Sequence, residues 1–210
     1  MTCPLRIESP RRLTRRVHGV TDTAGRVSQV TAIPPCPTGL NCQSQQTTLS
    51  RYNGHGQRFV RETDQGQTVF VYGADGYSVL SEFEHRLVDA TTVATTKETI
   101  YLPTSSGPMP VVAIINGEKF AVYADHLNTP RRLTDAQGQP RWQWAYSGFG
   151  ELAPQSIPAA GKPAISYNLR FPGQVDDGNG LFYNWHRFYH PGTGRYTNAD
   201  PIGLEGGWNR

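Results

Sequence analysis

From Tyr52 onward, short β-favouring runs alternate with glycine turns: Arg58–Thr63 (RFVRET), Thr68–Tyr72 (TVFVY) and Ser78–Glu84 (SVLSEFE) flank Asp64-Gln65-Gly66 and Ala74-Asp75-Gly76. Runs of five to seven residues joined by three-residue turns with glycine predict consecutive β-hairpins. The rhythm returns in Phe120–Ala124, Arg131–Thr134 and Pro140–Tyr146, around the turn Asp135–Gly138. In the last run Trp142, Trp144 and Tyr146 recur at period two, which places three rings on one strand face. The longest apolar run, Val111–Ile115, reads as a buried strand and falls far short of the ~20 residues a bilayer crossing needs. No stretch has the pattern of a long helix. The expected fold class is all-β, built from antiparallel hairpins.

Composition sharpens this picture. With 22 Gly and 16 Pro in 210 residues, a helical bundle or coiled coil is excluded, because helix interiors tolerate neither residue well. A net charge of +3 and 10% aromatic residues exclude wholesale disorder. Residues 1–50 carry six Arg against Glu8 and Asp22, yet no aromatic residue precedes Tyr52. A basic arm without rings to stack on bases is a poor nucleic-acid reader, so no nucleic-acid partner is expected. With the unpatterned Pro/Gln/Thr stretch 31–48, residues 1–50 read as a poorly ordered leader in which order starts only at Tyr52. Its arginines precede no apolar segment of signal-peptide length. Cys3, Cys36 and Cys42 form no CxxC and read as reduced thiols. No cofactor is implied.

Tyr52 and Tyr72 are 20 residues apart, Tyr123 and Tyr146 are 23, and Tyr146 and Tyr167 are 21. Periods near 20 residues indicate stacked supersecondary units. Tyr52-Asn-Gly-His-Gly-Gln-Arg58 and Tyr72-Gly-Ala-Asp-Gly76 resemble the Tyr-Asp (YD) repeats of the Rhs (rearrangement hot spot) and teneurin-like shell proteins. Tyr123-Ala-Asp-His-Leu-Asn-Thr-Pro-Arg131, Trp142-Gln-Trp144 and Tyr146-Ser-Gly-Phe-Gly-Glu151 are similar to the segment before that family's core. Leu169-Arg-Phe-Pro-Gly-Gln174, Gly180-Leu-Phe-Tyr-Asn184, Arg187-Phe-Tyr189, Gly194-Arg-Tyr196 and Asp200-Pro-Ile-Gly-Leu204 resemble the Rhs-associated core itself. The likeness divides the chain into a leader (1–50), degenerate repeats (51–120) and a core segment (121–210).

What the resemblance implies is a spiralling β-shell that encloses a toxic C-terminal domain, with the core curling inward as a plug. It further implies partners: a larger Rhs shell or neighbouring repeats, a toxin domain or its immunity protein, and a surface carbohydrate in cell-surface members. The place implied is the bacterial cytoplasm, with export by a specialised secretion system as part of a larger assembly. At about 160 patterned residues, the chain is too short to enclose a toxin by itself. Many members of the family cut themselves after the Leu of the Asp-Pro-X-Gly-Leu motif. Here that motif comprises Asp200, Pro201, Ile202, Gly203 and Leu204, and the matching bond is Leu204–Glu205.

Such a cut needs two neighbouring carboxylates that share a proton, one activating water and the other protonating the carbonyl oxygen. The resemblance matches the pair onto Asp177 and Asp200, with Asp176 as the alternative to Asp177. Consecutive strand residues face opposite ways, so only one of the two can point at Asp200. Arg170 is the nearest cation to orient a carboxylate or steady developing negative charge. The residues alone also allow a simpler reading, in which Asp200 caps a turn, Asp176 and Asp177 occupy a Gly-rich turn and Arg170 makes an inter-strand ion pair. Enzymatic activity is therefore open, and limited to self-cleavage. His186 and His190 have a metal-ligand spacing only on a helix, and no metal is expected. Trp142, Trp144, Tyr146, Trp185 and Tyr189 suggest a sugar-binding platform, against which stands the usual fate of aromatic stripes as core.

Overall fold

The computed structural model of the chain describes residues 16–23, 26–33, 46–88 and 91–197. Among them there is no helix. Twelve strands form one sheet in strict chain order, each antiparallel to the next. They are β1 (Arg16–Thr21), β2 (Val27–Ile33), β3 (Gln46–Tyr52), β4 (Arg58–Thr63), β5 (Gly66–Tyr72) and β6 (Val79–Val88), followed by β7 (Thr91–Thr104), β8 (Gly107–Ile115), β9 (Glu118–Ala124), β10 (Pro130–Thr134), β11 (Pro140–Gln143) and β12 (Gln155–Ser156). A second, four-stranded sheet follows: β13 (Gln174–Asp176), β14 (Phe182–Asn184), β15 (Arg187–His190) and β16 (Arg195–Tyr196).

The turns explain the meander. Asn53, Asp125 and Asp135 each accept two backbone N–H bonds from residues two and four positions on, and Asp75 does so from Tyr77 and Ser78. An Asx side chain that satisfies the turn's own amides fixes the hairpin locally. Asp22 makes a matching turn, its N–H bonding to Arg26 O and its Oδ1 accepting from Arg26 N. That turn lies in the segment assigned above to a leader.

Three strands, β1 to β3, therefore begin before Tyr52 and pair into the large sheet. This corrects the expectation that order starts at Tyr52. Buried positions there include the polar Thr31, Thr48 and Ser50 beside Val27 and Val30, so the apolar alternation by which strands are usually found is weak. The boundary at 120/121 falls inside β9 and marks a change in sequence character, not a break in the sheet. The cysteines lie outside the described residues.

One face of the large sheet meets the small sheet. Phe70, Val79, Ala113, Ile115, Phe120, Leu133, Trp142 and Trp144 pack there with Tyr167, Leu169, Val175 and Phe182. A second cluster joins Val27 and Val30 to Leu181, Tyr183 and Phe188. The three-ring stripe is only partly realised: Trp142 and Trp144 are 1% exposed, whereas Tyr146 is 73% exposed. The chain leaves the sheet after Gln143, and with it the period-two geometry.

Candidate functional site

The site is built at the end of β13. Asp176 closes that strand, and Asp177, Gly178, Asn179 and Gly180 turn the chain back into β14. The turn is self-capped: Asp176 Oδ1 accepts from Gly178 N–H, and Asn179 Oδ1 from Leu181 N–H. As extended backbone requires, the two aspartates point apart. Each meets a different arginine.

Asp177 points into the gap between the sheets. Its carboxylate takes a bidentate pair from Arg58, Nη1 to Oδ2 at 2.5 Å and Nη2 to Oδ1 at 2.7 Å, and a longer contact from Arg61 Nη1 at 3.4 Å. Both the Arg58 and Asp177 side chains are 0% exposed. The Arg58 guanidinium lies 3.9 Å from the Tyr183 ring centroid and 4.9 Å from that of Phe70. Tyr183 Oη accepts from Arg58 N–H, and Tyr72 O–H donates to Arg58 O. Burial pulls the Arg58 pKa down, but the Asp177 charge and its hydrogen bonds outweigh burial, and the net shift is upward. Burial also pushes the Tyr72 hydroxyl up, and that of Tyr183 to about 12.

Asp176 turns the other way. Its Oδ2 accepts from Arg170 Nη2 at 2.5 Å, and its side chain keeps 22% exposure. Arg170 Nη1 donates to Tyr167 O and Leu169 O, and its guanidinium lies over the Trp144 and Phe182 rings. Burial lowers the Arg170 pKa by more than Asp176 raises it. Asp176 and Asp177 both border a polar groove of about 250 Å³ between the sheets, with Arg61, Thr68, Glu84, Lys97 and Asn168 among its walls. In it the buried Lys97 meets Glu84 at 3.3 Å; Asn168, also in its wall, donates to Glu82.

Of the residues expected from sequence, Asp176 pairs with Arg170, while Asp177, next to it in the same turn, pairs with Arg58 instead. Asp200, Pro201, Ile202, Gly203, Leu204 and Glu205 lie outside the described residues. Sequence reasoning missed Arg58 and Arg61. Two arginines three apart in a strand whose neighbours are apolar were the available signal, since a cation on an inward face needs an acid partner. Chemically, a carboxylate with both oxygens held by guanidiniums is a fixed anion, suited to joining the sheets. Asp176, at the groove's edge, is the more open of the two.

Among the described residues no three His, Cys, Asp or Glu side chains are grouped as a metal ion would need. His186 lies in the β14–β15 turn and His190 ends β15, so the helical spacing that would favour a metal is absent. The five candidate rings form no common platform, because Trp142 and Trp144 are core. Among the described residues no helix is long and apolar enough to cross a membrane.

No protein-family model matches the chain. Over 88 residues, 41% of the chain, it is 44% identical to toxin protein Tse5 of Pseudomonas aeruginosa. Over 93 residues, 43% of the chain, it is 41% identical to double-stranded DNA deaminase toxin A of Burkholderia cenocepacia. Over 90 residues it is 36% identical to RhsA of Dickeya dadantii, which is named as a deoxyribonuclease. The relatives are Rhs-type toxins. The chain matches 6% of the length of each of these three relatives. Among solved structures, TcdB2–TccC3 without its hypervariable C-terminal region superimposes with a TM-score of 0.65 at 20% identity, covering 93% of this chain and 9% of that one. The Photorhabdus luminescens Tc holotoxin pore gives 0.64 at 20% identity, covering 92% and 9%. The all-β fold is that of the Tc toxin β-sheet shell.

Proposed function

We propose that the chain is a shell-and-core segment of an Rhs-type toxin, with β1–β12 as a piece of the encapsulating wall and β13–β16 as part of the core that plugs it. The observation that carries this reading is the strict chain-order meander of twelve antiparallel strands, in a fold shared with the Tc shell over nearly the whole chain. A wall of this kind works by continuing into further repeats, because an open sheet otherwise presents unpaired edges. Its partner is then a larger Rhs shell, with a toxin domain or immunity protein in the same assembly and export as part of that assembly. The test is co-expression of the full chain with an Rhs protein encoded beside its gene, followed by light scattering on the size-exclusion peak. Co-elution at the summed mass is expected; two separate peaks at the individual masses overturn the reading.

A second reading, self-cleavage at Leu204–Glu205, is favoured by one observation. The acidic turn and Arg170 come together at the edge of a polar groove, where a carboxylate with an open side has room to pair with Asp200. Intact mass spectrometry of the purified chain should then show loss of the six residues after Leu204, and Asp200→Asn should prevent it. Full-length protein persisting under native conditions overturns this reading and leaves the first untouched.

A further inference from the structure

On the face of the large sheet turned away from the small one, β9 to β12 carry a row of aromatic and polar side chains. Val122, Leu133 and Trp142 pack into the core, and strand alternation turns Tyr123, Arg132 and Gln143 the other way. The register sets Tyr123 opposite Arg132, Arg132 opposite Gln143, and Gln143 opposite Gln155. Side chains directly opposite one another on one sheet face are in contact range. Gln143 donates to Gln155. Arg132 is exposed, and its guanidinium makes no hydrogen bond or ion pair among the described residues. The Tyr123 ring beside it is 56% exposed.

The row lines an open cleft of about 680 Å³ together with Arg131, Trp144 and Tyr146. The Arg131 guanidinium lies 4.9 Å from the Trp144 ring centroid and 5.2 Å from that of Tyr146, so a cation–π layer braces the exposed tyrosine. Asp125 is the only acid in the cleft wall among the described residues, and its oxygens are taken. Oδ1 accepts from the Leu127 and Thr129 amides and Oδ2 from Arg131 Nε. Burial pushes its pKa up, but these bonds outweigh burial and hold it below the usual carboxylate value. The cleft therefore sets two guanidiniums against one committed carboxylate, between two exposed phenol rings.

We propose that this cleft docks an acidic segment of a partner protein, with Arg132 pairing a carboxylate and Tyr123 and Tyr146 covering the apolar side chains next to it. Charge complementarity selects the occupant, and tyrosine and arginine are the side chains that concentrate binding energy at protein interfaces. A nucleic acid fits less well, because its affinity comes from several phosphate contacts at once and Arg132 is the one unpaired arginine in the wall among the described residues. This docking is independent of both readings of the chain's function. The probe is a short fluorescein-labelled peptide of alternating Glu and Val, titrated with the full chain at low salt and followed by anisotropy. Binding is expected, and it should be about tenfold weaker for the counterpart with Gln in place of Glu. Arg132→Gln should weaken binding of the Glu peptide about tenfold, and Tyr123→Ala about threefold. Both side chains are exposed, so the far-ultraviolet circular dichroism of the variants should match wild type. Arg195→Gln, which removes an exposed cation from β16, should change nothing. No binding of the Glu peptide, an equal loss with Arg195→Gln, or tighter Arg132-dependent binding of labelled oligothymidine overturns the proposal.

Discussion

Replacing Asp177 with Asn removes one negative charge from between Arg58 and Arg61 with almost no change in side-chain size. Both members of the Arg58–Asp177 pair are fully buried, and breaking such a pair by removing one partner costs about 3–5 kcal/mol, because the other charge stays behind without compensation. The loss should lie toward the upper end. The Asn amide can turn only one acceptor to two guanidiniums and must aim its own donors at a third donor or at apolar rings. For a chain of this size each kcal/mol lowers Tm by roughly 2–4 °C, so a fall of roughly 6–20 °C is expected. Arg58→Met should cost a comparable amount, leaving Asp177 with Arg61 alone at 3.4 Å. The double replacement Arg58→Met with Asp177→Asn should lose less than the sum of the two, with a coupling of about 2–3 kcal/mol. Urea unfolding followed by near-ultraviolet circular dichroism suits the measurement, since Trp142 and Trp144 lie between the sheets. A cost below about 1 kcal/mol for Asp177→Asn, or a coupling near zero, would refute the claim that this pair joins the sheets.

Burial raises the hydroxyl pKa of Tyr52, Tyr72, Tyr101, Tyr167 and Tyr183, the last to about 12. Above the ordinary value of 10.0 the unfolded chain loses these protons and the folded chain keeps them, so stability is present below pH 10 and is lost as pH rises toward the folded values. Absorbance at 295 nm should show these tyrosines ionising together with the loss of β-structure, and ionisation near pH 10 with the fold intact would contradict their burial. Gly66→Ala should cost at least about 4 kcal/mol in urea unfolding, as overpacking and backbone strain combine. The new Cβ would stand 2.0 Å from His85 O at a φ of +146°. Gly117→Ala, in open space at φ +81°, should lose only about 1–2 kcal/mol and separates strain from clash.

Most strands legible in the sequence have an apolar buried face, although β4 buries Arg58 and Arg61 beside Val60. Arg58–Thr63 was expected as a strand and is one, and β5, β9 and β10 lie within a few residues of their expected places. There, alternation and Asx-Gly turns are local signals that agree with the tertiary packing. The strands missed have the opposite pattern. In β7, Lys97 and Thr99 are buried while Ile100 and Leu102 are half exposed, so the alternation is present but inverted. In β3 the buried positions are Thr48 and Ser50, which no apolar pattern marks. The Arg58–Asp177 pair spans 119 residues. No spacing rule reaches that far, so only the acidic half of the site, carried by a motif, could be seen in advance.

The position of each aspartate bears directly on self-cleavage. A dyad needs a carboxylate that can approach a second one closely enough to share a proton. Asp177, sealed between two guanidiniums with no exposed side-chain surface, would have to leave both before it could do so. Asp176 needs to give up only Arg170, and its side chain keeps 22% exposure. Sequence reasoning put Asp177 first; with Asp200 outside the described residues, we propose that Asp176, the more exposed of the two, is its partner. If the chain cuts itself, Asp176→Asn should stop the cut and destabilise the fold less than Asp177→Asn does, because Asp176 keeps 22% exposure and the buried Arg170 retains its bonds to Tyr167 O and Leu169 O. Asp177→Asn should lower stability strongly and affect cleavage only as far as the fold is lost, so that cleavage returns under conditions where the variant is folded. A folded Asp177→Asn chain that never cleaves, beside an Asp176→Asn chain that cleaves normally, reverses this assignment.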